Sequence, residues 1–281
     1  MGAFSLLITT PLGYIISFIY DLVQNYGLAI IIFTIIVKLL MLPLVIKQQK
    51  STVQMQKIQP ELQAIQKKYA NDQQRLSQET MKLYKKYNIN PAGGCLPLLI
   101  QLPIIFGLYQ VITRPMQYIL HMETDLIQKV ADILKDGGFI TDAIANLASK
   151  QNQITVASSM AENLAYVEEK VGMVLSTINF DFFGLDLSLT PKLSVVSALW
   201  IIPILSAVTA YLSGKITTKL SGNEQAAEQM KTMNLMMPLM SGYFCFVMPT
   251  GVGLYWVMSN IIQIIQQIVV TKIMLNRKEN M

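Results

Sequence analysis

The chain has 281 residues, of which 52% are hydrophobic and 14% charged, and its mean hydropathy of +0.42 is too apolar for an ordinary soluble domain of this length. One histidine and two cysteines are too few for a four-ligand zinc site, and no glycine-rich loop ending in Gly-Lys-Ser/Thr is present to cradle a nucleotide. These absences argue against hydrolytic or ATP-driven work by the chain alone, so the expectation is a non-enzymatic, all-α membrane protein without a cofactor.

A crossing helix needs roughly 20 mostly apolar residues. Residues 1–26 come first, apolar but lacking the basic start of a secretory signal. Pro11, Leu12, Tyr14, Ile15, Ile16, Phe18, Ile19 and Leu22 give way to Asp21, Gln24 and Asn25, which predicts an interfacial helix, with a sixth span as the competing reading. Residues 27–46 are the first predicted span.

Residues 47–92 hold nine Lys/Arg against three acids, a net charge of +6. Met55, Ile58, Leu62, Ile65 and Tyr69 recur at helical spacing, followed beyond Asn71-Asp72 by Leu76, Leu83 and Tyr87, which predicts a helical hairpin with one apolar stripe per arm. Pro60 should interrupt or kink the first arm, and its core should be too small to hold it rigidly to the spans.

The second span is predicted at 93–113, followed by a long loop over 114–192 that is weakly helical at Leu126 to Leu134 and Ala157 to Leu175 and has a net charge of −4. Spans at 193–213, 233–249 and 250–275 complete the set, with a connection at 214–232 and a tail at 276–281. The connection is +1 and the stretch from Lys272 is +2, so the positive-inside rule places the hairpin, the connection and the C-terminus in the cytoplasm and the N-terminus and acidic loop outside. Cys95 and Cys245 both fall in predicted spans, where no disulfide is expected.

Lys38 lies midway along the first span among Ile35, Ile36, Val37, Leu39 and Leu40, and no Asp or Glu in any span can neutralise it. An ammonium at that depth costs about 2.5–3.5 kcal/mol on insertion scales, so it should face the bundle interior or a wet cavity. Thr34, one turn earlier, and Gln101 of the second span are candidates for the same cavity, as are Tyr255, Trp256, Ser259, Asn260, Gln263, Gln266 and Gln267 of the last. Asn260, Gln263 and Gln267 share a stripe by spacing, with Gln266 beside it. The ordinary reading of each amide or hydroxyl alone is a hydrogen bond between helices, and of Trp256 packing or an interfacial belt. Met233, Met236, Met237, Met240 and Met248 make the fourth span methionine-rich, suited to promiscuous apolar contact or to plain core filling.

The run from Asn90 to Pro103, NPAGGCLPLLIQLP, closely resembles the entry to the second core helix of the YidC-type membrane insertases, a family shared with the mitochondrial and chloroplast insertases. Thr34 to Leu44, the text around Ile58-Gln59-Pro60, and Pro249 to Trp256 continuing through Ser259-Asn260 agree with it. The resemblance implies five transmembrane helices around a hydrophilic groove open to the cytoplasm and to lipid, in which a cation receives the polar tail of a substrate.

That cation falls on Lys38, where the family usually has Arg; lysine keeps the charge but loses the planar fork. The family's polar partners fall on Thr34, Gln101, Tyr255 and Trp256. The resemblance further implies insertion and chaperoning of nascent membrane proteins in the bacterial cell membrane, alone or with the Sec translocon, with ribosome and signal recognition pathway as partners and a monomer as the working unit. Ribosome contact would use the hairpin or the 214–232 connection. A solute transporter and a passive scaffold beside a translocon are the rival readings.

Overall fold

The computed structural model describes residues 5–89, 96–147, 152–221 and 231–279, and they are mostly helical. A π-helical turn, Ser5–Thr9, leads into α1 (Thr10–Val23), which ends at Gln24 with a left-handed φ of 51°. Asn25 then caps α2 (Tyr26–Leu40), its side chain accepting from the Leu28 backbone N–H at 3.0 Å.

The apolar run read as one straight span breaks at Met41, and α3 (Leu42–Lys57) leaves at 52° to α2. The cause is Pro43, which has no N–H for the Leu39 carbonyl and whose ring crowds the preceding turn.

α4 (Gln59–Lys68) and α5 (Gln73–Lys86) form the predicted hairpin. Pro60 sits in the first turn of α4, where a missing N–H costs nothing, so the chain breaks at Ile58 rather than kinking within a helix. Ile58, Leu62, Leu83 and Ile89 make a small core of their own, separate from that of the bundle. Asp72 caps α5 by accepting from Arg75 N–H at 2.9 Å, and Glu61 accepts from Lys86 Nζ at 3.1 Å and from the Tyr87 hydroxyl.

The predicted bend at Asn90 to Gly94, and Cys95, lie outside the described residues. α6 (Leu96–Thr113) follows, and then the segment read as a long loop, which is a folded cap: α7 (Pro115–Tyr118), α8 (Thr124–Asp136), α9 (Asp142–Ala145), α10 (Asn152–Glu162), α11 (Leu164–Val171) and a two-stranded hairpin, β1 (Asp181–Phe182) with β2 (Leu185–Asp186). Ile127, Val130, Ala131 and Leu134 line one face of α8 and are buried with Ile154, Met160 and Val167. In water, burying each larger aliphatic side chain contributes about 1.5–3 kcal/mol.

A 3-10 turn, Ala198–Trp200, opens α12 (Ile201–Ser221), followed by α13 (Lys231–Val247) and α14 (Thr250–Glu279). By length and apolarity Ser5–Val23, Ala198–Thr218 and Thr250–Ile273 can each cross a membrane, as can the bent pair α2 and α3 together; Gln101–Thr113 and Leu235–Val247 are shorter apolar helices. The helix read as interfacial is therefore as long as a span.

α12 packs against both α13 and α14, and α14 packs against α2. Serines join the first pair, Ser206 Oγ lying 2.6 Å from Ser241 Oγ, as small polar groups do where lipid tails supply no hydrophobic drive. Tyr26, Ile30, Phe33, Leu108, Ile112, Val252 and Leu254 form the interior, continuous with the core of the cap. Tyr26 donates to the Ile112 carbonyl at 2.8 Å, and Gly251 lets α14 approach it, since a Cβ there would stand 3.1 Å from the Tyr26 ring.

Candidate functional site

Tyr26, Ile30, Phe33, Thr34, Val37 and Lys38 form one buried stripe of α2, so the ammonium-bearing side chain enters the bundle on the same face as the aromatic core. Lys38 is 7% exposed. Among the described residues the ion pairs all lie in the hairpin and the cap, and none reaches Lys38. Thr34 donates its hydroxyl proton to the Ile30 carbonyl at 2.6 Å, a common helix back-bond that leaves its lone pairs to the interior.

The last helix supplies two polar stripes, because residues eleven apart return to nearly the same angle on a 3.6-residue helix. Tyr255, Ser259 and Gln266 make the first, toward α2 and α6. Gln101 Nε2 of α6 donates to the Tyr255 hydroxyl at 2.9 Å, and Gln266 Nε2 donates to the backbone carbonyl of Lys38 at 2.7 Å. That carbonyl belongs to the last turn of α2, just before the break at Met41, where helix-end carbonyls need outside donors. A second tie beyond the bend runs from Gln49 Nε2 to Thr271 Oγ1 at 3.2 Å.

Trp256, Asn260 and Gln267 make the second stripe, toward α12 and α13. Trp256 stacks on Phe244 with ring centroids 6.2 Å apart, Asn260 Nδ2 donates to Thr209 Oγ1 at 3.2 Å, and Gln267 Nε2 donates to Thr217 Oγ1 at 2.9 Å. Of the predicted residues, the structure thus gathers Lys38, Thr34, Gln101, Tyr255 and Ser259 on the surfaces between α2, α6 and α14, and turns Trp256 and Asn260 to the other side. Gln263, placed with Asn260 by spacing, is exposed. Gln266, a cavity candidate placed beside that stripe, is the buried amide at the Lys38 carbonyl, and its eleven-residue interval from Tyr255 is the signal that sets it on the first stripe.

Chemically the cluster offers one cation, amides and a phenol. The single histidine, His121, lies in the cap with Nε2 3.0 Å from Ser17 Oγ and its ring stacked on Tyr14. Ser17 is buried and also bonds the Ile119 carbonyl at 3.0 Å, so this pair is a joint between α1 and the cap. No group of three metal-ligating side chains occurs among the described residues. A hollow of about 520 Å³, lined by Tyr20, Gln24, Glu162, Asn179, Asp181 and Asp186, lies against the cap and includes none of the cluster.

Residues 18–278 match the family model for the 60Kd inner membrane protein. The chain belongs to that family. It is similar to a protein named membrane protein insertase YidC from Oceanobacillus iheyensis, 32% identical over 286 residues that cover 99% of this chain and 87% of the relative. Proteins of the same name from Rickettsia africae and Rickettsia prowazekii are 32% and 33% identical over 266 residues, covering 95% of this chain. The chain spans 39% of the length of those two relatives.

Proposed function

We propose that this protein inserts other membrane proteins into a bacterial cytoplasmic membrane, by holding the polar tail of a nascent chain beside Lys38 while its apolar segment moves into lipid. The observation that carries the reading is a buried lysine that has no counter-ion among the described residues, in a chain whose relatives are named for insertion. Removing a charged tail from water is the costly step of insertion, and a wet site with one fixed cation lowers that cost for an acidic tail. Thr34, Gln101, Tyr255 and Ser259 surround the path with groups able to exchange hydrogen bonds with it. Trp256 and Asn260 hold the wall formed by α12 and α13.

In this reading the five helices α2, α6, α12, α13 and α14 enclose a groove open toward the basic hairpin. The N-terminus and cap face outward, and the C-terminus lies in the cytoplasm, as the charge distribution asks. The bundle works as a monomer that also chaperones its clients, on its own or beside the Sec translocon, with the ribosome and signal recognition pathway delivering chains to the hairpin. Nothing in the step requires a covalent intermediate.

The test is insertion of a single-spanning protein with a short acidic tail into liposomes holding this chain alone. Wild type and Lys38→Arg are expected to insert it, and Lys38→Ala to fall about fivefold or more, as the loss of ~1–4 kcal/mol of attraction between charges ~4 Å apart would give. A client with a neutral tail should be affected less. Equal insertion by Lys38→Ala would remove Lys38 from the mechanism, and no insertion by wild type would leave an accessory to a translocon.

A further inference from the structure

We propose that the segment from Asp181 to Ser197 is a membrane anchor, its apolar side chains entering the lipid leaflet at the end of the bundle where α2, α12 and α14 begin. This goes beyond the insertion reading and holds whether or not Lys38 receives a client.

The level of the segment is fixed by hydrogen bonds to helix starts. At the first turn of α2, Tyr26 N–H donates to the Asn179 carbonyl at 3.0 Å and Asn25 Nδ2 to the Asp181 carbonyl at 2.8 Å. At the first turn of α14, Thr250 N–H donates to the Leu189 carbonyl at 2.8 Å and Gly251 N–H to the Leu187 carbonyl at 3.0 Å. The segment then runs directly into the 3-10 turn that opens α12. A chain tied to the starts of three membrane-crossing helices lies at the boundary between lipid and water.

Its side chains sort by face. Asp181 and Asp186 line the hollow beneath the cap, and Asp186 Oδ1 is held by Ser188 N–H and Oγ at 2.8 and 2.6 Å. On the other side Phe182 covers Gly27 of α2 so closely that a Cβ there would stand 2.4 Å from its ring, and Phe183 projects beyond it, 90% exposed. Phe183 and Gly184 are the central residues of the turn, both with positive φ, at 52° and 78°. A bulky side chain adopts that conformation only at a cost, so the turn holds Phe183 out against its own backbone preference.

Leu189, Leu193, Val195 and Val196 are exposed as well, among exposed Thr190, Lys192, Ser194 and Ser197, and the chain leads on to Ile201, Ile204 and Val208 on the exposed face of α12. A patch adjoining the lipid face of a span calls for the same solvent. Trp200, its Nε1 donating to the Lys192 and Val195 carbonyls at 3.1 Å each, stands where interfacial tryptophans collect, and exposed Lys192 can reach headgroups along its stem.

The test uses the full chain with Cys95→Ala and Cys245→Ala, in phosphatidylethanolamine and phosphatidylglycerol liposomes without any client. Phe183→Cys, Val196→Cys and Val174→Cys are each spin-labelled, and collisions with oxygen are compared with collisions with a water-soluble nickel chelate. Val174 is the control: it is 86% exposed, yet sits on the cap beside Glu168, Glu169 and Lys170. The oxygen-to-nickel ratio is expected to be several-fold higher at 183 and 196 than at 174. Equal ratios at the three sites would place the segment in water and overturn the proposal, as would protection from both reagents, which would mean a protein partner or second copy covers it.

Discussion

The cap and the α4–α5 hairpin are both helical, and they differ most in what lies under them. The cap shares one continuous core with the bundle, running from Phe33 and Ile112 through Met116 to Leu134 and Met160. The hairpin has Ile58, Leu62, Leu83 and Ile89 and, outside them, charge. One end of the molecule is therefore built as part of the scaffold and the other as an appendage, and free energies of local opening should differ accordingly.

Leu134→Ala is the change that should break the contrast most severely. Leu134 is fully buried, and the cavity left should destabilise the cap by about 2–5 kcal/mol, visible as a lowered melting transition of the whole protein in detergent. A fall confined to cap amides in hydrogen exchange, with the bundle unaffected, would show the two cores to be separable.

Next is Gln266→Met, which keeps volume and removes the donor at the Lys38 carbonyl. An unsatisfied carbonyl away from water costs about 1–3 kcal/mol, and the bend should relax, read as a broadened distance between spin labels on α2 and α3. An unchanged distance distribution would mean that Pro43 alone sets the bend.

Leu62→Ala should sharpen the contrast instead: exchange in α4 and α5 accelerates while the global melting transition stays in place. A lowered global transition would make the hairpin part of the scaffold after all.

The smallest effect concerns Glu61, whose carboxyl is held below its ordinary value of 4.5 by the Tyr87 hydroxyl first and the Lys86 ammonium second. A depressed carboxyl stabilises the folded form above its ordinary range and loses that contribution as pH falls through the lower folded value. Hairpin amides should thus lose protection on acidification below about pH 4.5, slightly, because the group is fully exposed, and Glu61→Gln should reduce that dependence to the part contributed by Glu79, which Lys82 holds down in the same way.

The helices of the hairpin could be read from sequence because helical period is a local property, and apolar length likewise marks Ala198–Thr218 and Thr250–Ile273, while Ser5–Val23, read as interfacial, is as apolar and about as long. Lys38 stood out because a charge among Ile35, Ile36, Leu39 and Leu40 has no cheap location. The cap was read as a loop because its helices are short and divide their apolar residues between several partners, so only α8 carries a clear period at Ile127, Val130, Ala131 and Leu134. The hairpin at Phe183 was invisible because its turn uses Phe where Asn or Gly is the usual signal. In the site, spacing identified polar positions on the last helix but not which neighbour each met. Trp256 and Asn260 lie about 100° around that helix from Tyr255 and Ser259, and only the arrangement of α12 and α13 decides that this is a different wall.

The hydrogen bonds from residues 179–189 to the starts of α2 and α14 have a mechanical consequence. Helices fastened at one end splay as the ribs of a fan do, with almost no displacement at the pivot. In α14 the far part is held as well, by Gln266 to the Lys38 carbonyl, Gln267 to Thr217 and Gln49 to Thr271, so splaying there means breaking those hydrogen bonds. α14 has 30 residues, about 45 Å of helix, so a tilt of ~10° about its first turn would carry its far end ~8 Å. Once those bonds give way, a small rotation that the fastened end would barely register is enough, in the function proposed above, to make room for a peptide between the far ends.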